Sequence, residues 1–101
     1  MQEKILFKVL KSFSLTGLGV LLLPANPVPE LQRFALHTAL KVQLRFPGGH
    51  QISVVASVEE ISRPHEPETR VLLLAQQGPE PIPLGTAVWW TGQEAGWEDL
   101  L

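Results

Sequence analysis

The stretch "FSLTGLGVLLL", residues 13–23, places two glycines between apolar segments. Phosphate-binding loops need a third glycine before a helix, or a lysine directly after the glycines. Neither occurs, because Gly19 is followed by four apolar residues and then by Pro24. We therefore predict that Gly17 supplies a turn and that Gly19 gives room where a strand bends or another backbone approaches.

Alternation of apolar and polar residues dominates the rest of the chain and predicts strands. The pattern is clearest from Leu40 to Phe46 and resumes from Ile52 to Val58, with the turn sequence "PGG" at 47–49 between them. We predict a hairpin whose strands cover residues 39–46 and 50–61. Further strands are predicted over residues 5–10, 20–23, 70–75 and 86–90.

The connectors between these strands are rich in proline, at residues 24–30, 63–68 and 78–83. Proline lacks the amide donor that a sheet needs, so these segments are predicted to be loops. Helix is expected only as a short turn within residues 30–40. Many short strands with little helix indicate one all-β domain, a small sandwich or barrel, with its core over about residues 4–90 and a tail over 91–101.

The charge balance argues against a nucleic-acid partner, since eight basic residues face ten acidic ones and the net charge is -2. The absence of cysteine excludes disulfides, thiol catalysis and thiolate metal sites. The apolar run that ends at Pro24 is shorter than the roughly 20 residues that cross a bilayer, so no membrane span is expected. A cytoplasmic location is favoured over a secreted form with a cleaved N-terminus.

Candidate chemistry is sparse. Asp99 is the sole aspartate, so no Ser–His–Asp set is predicted. The three histidines are far apart, which leaves a small-ligand or metal site near one of them as the weakest alternative: His37, His50 and His65. We expect no enzyme activity, no catalytic residue, no cofactor and no metal ion.

The tryptophans indicate a contact surface. Trp89 and Trp90 are adjacent in a predicted strand, so one faces the core and the other faces outward. The outward ring is either covered by the tail or exposed to a partner, since tryptophan is enriched at interface hot spots. The candidate residues for binding another protein are Trp90, Glu94, Trp97, Glu98 and Asp99. The candidates for the alternative, a nucleic acid, are Lys8, Lys11, Lys41 and Arg45.

Several short motifs have a family likeness. The first motif is a phenylalanine followed by two spaced glycines and an apolar strand, and it is matched by Phe13, Gly17 and Gly19. Residues 36–42, 52–61 and 81–89 fit three later strand motifs, the last with a glycine at Gly85. Together they resemble the second domain of translation elongation factor Tu and its relatives, over most of residues 5–90. His37 and Thr38 stand where that family has a glycine and an acidic residue.

The resemblance implies a closed antiparallel barrel of six or seven strands with little helix. In that family the barrel contacts transfer RNA or the ribosome, which implies an RNA- or ribosome-associated barrel as one alternative. The 101 residues contain no phosphate-binding loop, so GTP hydrolysis is not expected. We expect a non-enzymatic protein-binding module of the bacterial immunity or inhibitor type, a role that rests on fold analogy and acidic charge.

Overall fold

A computed structural model describes residues 3–75 and 82–94, and of Gln93 it describes the backbone alone. The helices and strands are β1 (Lys4–Leu15), β2 (Gly19–Pro24), α1 (Pro29–Gln32), β3 (Ala39–Arg45), β4 (Gln51–Ile61), β5 (Thr69–Leu74) and β6 (Ala87–Glu94). The predicted all-β class is confirmed. Nowhere in the described ranges is there a helix with the length and apolarity needed to cross a bilayer.

The six strands close into a barrel in the order β1-β2-β5-β4-β3-β6, with β6 returning to β1. Every neighbouring pair is antiparallel. The pairs β1–β2, β3–β4 and β4–β5 join strands that follow one another, whereas the other three join distant parts of the sequence. Because the barrel is closed, each of the six strands has a paired neighbour on both sides, which protects it from unwanted strand addition.

Apolar residues at alternate positions of the strands fill the barrel. On β3, Leu40, Val42 and Leu44 are almost fully buried, while the residues between them are partly exposed. Leu31 of the four-residue helix α1 is also fully buried and joins this core. The remaining core residues come from the other five strands and, for Val28, from the segment before α1: Leu6, Phe7, Val9, Val20, Leu22, Val28, Val54, Ala56, Val58, Leu72, Leu74 and Val88.

The predicted hairpin is confirmed, because β3 and β4 pair continuously from Ala39 with Ser57 to Arg45 with Gln51. Two strands, β1 and β6, continue well past their predicted ends. β1 pairs first with β6 and then with β2, and a register shift between Val9 and Lys11 interrupts the alternation that would reveal its second half. β6 continues to Glu94 and includes a glycine with positive φ, Gly92, which also breaks the pattern.

The two glycines of residues 13–23 have different structural roles. Gly17 lies in the turn between β1 and β2 with φ 79° and has open space around it. Gly19 begins β2 with φ 131°, and a Cβ atom built there would lie 1.8 Å from the carbonyl oxygen of Leu74. The next residue, Val20, pairs with Leu74 of β5. The absence of a side chain at residue 19 therefore permits the contact between β2 and β5.

Replacing Gly19 with alanine is expected to lower the free energy of unfolding by about 3 kcal/mol or more, because backbone must move and φ is unfavourable. Gly48→Ala is the matched control, since no atom lies within 4 Å of its added Cβ. That control is expected to change stability by less than about 0.5 kcal/mol. Urea denaturation measures both, and equal midpoints for the two variants would contradict the close approach.

Candidate functional site

The strand β6 lies between β1 and β3, and the register aligns outward side chains from all three strands. Ala87 of β6 lies between Lys8 of β1 and Arg45 of β3. One step along the sheet, Trp89 lies between Ile5 of β1 and Gln43 of β3. We call the outward group the tryptophan face: Ile5, Lys8, Gln43, Arg45, Ala87 and Trp89. The face lies outside the barrel because the alternate residues of β3 and β6 are buried.

Arg45 covers the indole of Trp89. Its guanidinium carbon lies 4.1 Å from the ring centroid, which is a close cation–π distance. Its Nε donates to Oε1 of Gln43 at 2.7 Å, and its Nη2 donates to Oε2 of Glu3 at 2.6 Å. Three contacts from three different segments therefore fix one guanidinium, while its side chain stays 37% exposed.

Trp90 has a different environment from Trp89. It pairs in register with Val42 and packs against the core. Phe34 meets its ring edge-to-face at a centroid distance of 5.3 Å, and Lys4 Nζ lies 6.0 Å from it. The outward ring of the tryptophan pair is thus Trp89, a residue that the candidate set omitted. The signal that could have identified it is Val88, an apolar strand residue on the same side as Trp90.

The structure brings together part of the predicted basic set. Lys8 and Arg45 are both on the tryptophan face. Lys41 lies further along β3, where its carbonyl oxygen accepts a bond from the Thr91 hydroxyl at 3.2 Å. Lys11 pairs with β2 rather than with β6, so it lies elsewhere on the barrel. Of the predicted acidic and aromatic set, Glu94 is exposed at the end of β6, whereas Trp97, Glu98 and Asp99 lie outside the described residues.

The histidines do not converge. His37 has φ 73°, and its Nδ1 lies 2.8 Å from Oε1 of Glu59. Glu59 Oε2 accepts a bond from the Ser57 hydroxyl at 2.8 Å, so the serine donates to the carboxylate and not to the imidazole. A nucleophilic serine needs the imidazole as its base, and this order does not supply it.

The other two histidines lie in loops. His50 stacks on Phe46 at 4.3 Å in the turn between β3 and β4. His65 lies between β4 and β5, with φ 65°. Within residues 3–75 and 82–94, no three acidic or histidine side chains are grouped closely enough to hold a metal ion.

Two carboxyl groups and one guanidinium meet where β4 and β5 pair. Arg70 pairs with Glu60 in register, and its Nε lies 3.5 Å from Oε2 of Glu60. A side-chain hydrogen bond with Glu68 raises the pKa of Glu60, and burial and the negative charge of Glu68 raise it further. The positive charge of Arg70 acts in the opposite direction. The pKa of Glu60 therefore lies above that of an isolated glutamate.

No protein-family model matches the chain, and neither does any curated protein or solved structure. The structure itself is a small closed barrel. Small barrels carry many unrelated functions, so the fold does not specify one.

The raised pKa of Glu60 predicts a pH-dependent effect of Glu68→Gln. A raised pKa means that the folded state holds the proton more tightly, so this contribution to stability is complete at low pH and is lost as pH rises through the folded pKa. At neutral pH the negative charge of Glu68 opposes that of Glu60, and removing it is expected to raise the melting temperature. The gain should fade as the pH falls and Glu60 takes up its proton.

Glu66→Gln is the control for this measurement. Glu66 lies in the same loop and its side chain is more than half exposed. Its Oε2 lies 3.8 Å from Nη1 of Arg63. Its ion-pair partner is the basic residue Arg63, so little change is expected at either pH. Thermal melts followed by circular dichroism give the comparison. A melting temperature of Glu68→Gln at or below that of the unsubstituted protein at neutral pH would refute the repulsion.

Proposed function

We propose that this protein is a non-enzymatic binding module that contacts a protein partner through the tryptophan face. The observation that carries the proposal is the guanidinium of Arg45 held over Trp89 beside Ile5, which is 40% exposed. Tryptophan and arginine are the residue types most enriched among interface hot spots. An arginine and an apolar side chain beside one indole give this surface the composition of a hot spot.

The rigidity of the face supports the same proposal. Ile5, Gln43, Arg45 and Trp89 all belong to strands whose backbones pair within the closed barrel. The side chain of Arg45 is additionally fixed by its bonds to Gln43 and Glu3. A surface that is already ordered loses less conformational entropy on binding, which favours affinity.

A nucleic acid is a weaker candidate for the same face. The register does place Lys8 and Arg45 on either side of Ala87, which is the arrangement that this alternative would use. However, Arg45 covers one surface of the Trp89 ring. Stacking of bases on an aromatic ring is a main source of affinity for single strands, and a covered ring offers less of it.

We also propose kinship with the second domain of elongation factor Tu, with the activity of an immunity- or inhibitor-type protein. The closed barrel is compatible with this kinship. Two positions aligned with glycines of that family have positive φ, His37 at 73° and Gly85 at 89°. A histidine with positive φ is uncommon, so residue 37 keeps the backbone of a glycine position with a different side chain.

Comparative capture from an extract of the source cells tests the proposed function. Arg45→Gln and Trp89→Ala are each expected to reduce capture of a specific protein at least tenfold. A tenfold loss of affinity corresponds to about 1.4 kcal/mol of binding free energy. Phe13→Ala is the control, because Phe13 is an exposed aromatic on the part of β1 that pairs with β2. This control should capture the same protein as the unsubstituted chain does.

Two results would contradict the proposal. Equal capture by all four proteins would show that the tryptophan face does not bind the partner. Loss of capture after ribonuclease treatment would instead show that RNA mediates the contact. Circular dichroism of Trp89→Ala must match that of the unsubstituted protein, so that loss of binding is not loss of folding.

A further inference from the structure

We infer that the tryptophan face binds a carboxylate of an acidic protein segment, and that Glu3 competes for the same guanidinium from within the chain. This inference rests on the proposed function and specifies the chemistry of the partner and a form of regulation. The observation behind it is the short contact from Arg45 Nη2 to Glu3 Oε2, at 2.6 Å. That contact shows that the guanidinium of the face already binds a carboxylate of the same chain.

The guanidinium has supports that do not depend on Glu3. Trp89 lies under its plane at 4.1 Å, and Gln43 accepts from its Nε at 2.7 Å. Both supports are on strands inside the closed barrel, so Arg45 is expected to keep its position when Glu3 leaves. A planar guanidinium fixed in this way matches the geometry of a carboxylate, and such charge-assisted hydrogen bonds are stronger than neutral ones.

Glu3 is suited to exchange. It precedes Lys4, the first residue of β1, so it lies outside the paired strand. Its side chain is 45% exposed, and that of Arg45 is 37% exposed. Exposed ion pairs contribute little to stability, so a carboxylate on a partner can replace Glu3 at low cost.

The surroundings of Arg45 favour an acidic segment that also carries an apolar side chain. Lys8 lies across Ala87 in the same row, and adds a second positive charge to the face. Ile5 and Trp89 supply apolar surface next to these charges. The chain as a whole has net charge -2, so this local positive charge can orient an acidic partner towards one side of the barrel.

The test uses a short fluorescein-labelled peptide of glutamates flanking one leucine, and its counterpart with glutamine for glutamate. Binding is followed by fluorescence anisotropy at low ionic strength. Glu3→Gln is expected to bind the glutamate peptide about threefold to fivefold more tightly than the unsubstituted protein, the gain from removing a competing surface ion pair. The glutamine peptide should bind neither protein measurably.

Two further variants separate the fixed guanidinium from simple charge attraction. Arg45→Lys keeps the charge but loses the planar fork, and is expected to bind at least about threefold more weakly. Lys11→Gln removes a positive charge from the part of β1 that pairs with β2, and should bind as the unsubstituted protein does. Glu3→Gln binding no more tightly than the unsubstituted protein would overturn the inference, as would equal losses in Arg45→Lys and Lys11→Gln.

The outcomes also separate this inference from the proposed function. If Arg45-dependent capture of a protein persists while the glutamate peptide fails to bind, the carboxylate assignment is wrong and the proposed function stands. If the peptide binds through Arg45 but capture is indifferent to Arg45 and Trp89, the proposed function is wrong, and the partner assignment with it. Tighter Arg45-dependent binding of a single-stranded RNA oligonucleotide than of the peptide would overturn the choice of a protein partner.

Discussion

The close approach of Gly19 to the carbonyl oxygen of Leu74 is the constraint on which the barrel depends. β2 and β5 pair over three residues, from Val20 with Leu74 to Leu22 with Leu72. This short seam joins the β1–β2 hairpin to the β3–β4–β5 sheet. A side chain at residue 19 would overlap the backbone of β5, so the seam could not form as it does. With the seam closed on one side, β6 closes the other side between β1 and β3.

The position of β6 determines which side chains form the tryptophan face. Val88 is fully buried and Trp90 packs against the core, so the intervening Trp89 faces outward. The neighbouring strands then bring Ile5 and Arg45 beside it. The cation–π contact is a consequence of this register, because its two partners lie on different strands. The tryptophan face and the core are thus set by the same alternation.

Local patterns predicted much of the fold and little of the site. The hairpin around residues 47–49 was predictable because clean alternation flanks a glycine turn, and its register follows from that turn. The adjacent tryptophans were harder to orient, since only Val88, on the same side of the strand as Trp90, indicates which of them faces inward. The bond between Glu3 and Arg45 joins residues 42 positions apart, so no local pattern contains it. It depends on β6 lying between β1 and β3.

Site-specific photo-crosslinking tests most directly whether the tryptophan face is the binding surface. A photoreactive phenylalanine analogue is placed at Ile5, which pairs with Trp89, and in a second protein at Phe13, which pairs with Leu21 on β2. Both positions are exposed to a similar extent, 40% and 46%. The account predicts crosslinks to the partner protein from residue 5 and none from residue 13. Crosslinks from residue 13 alone would place the partner on the other side of β1 and contradict the account.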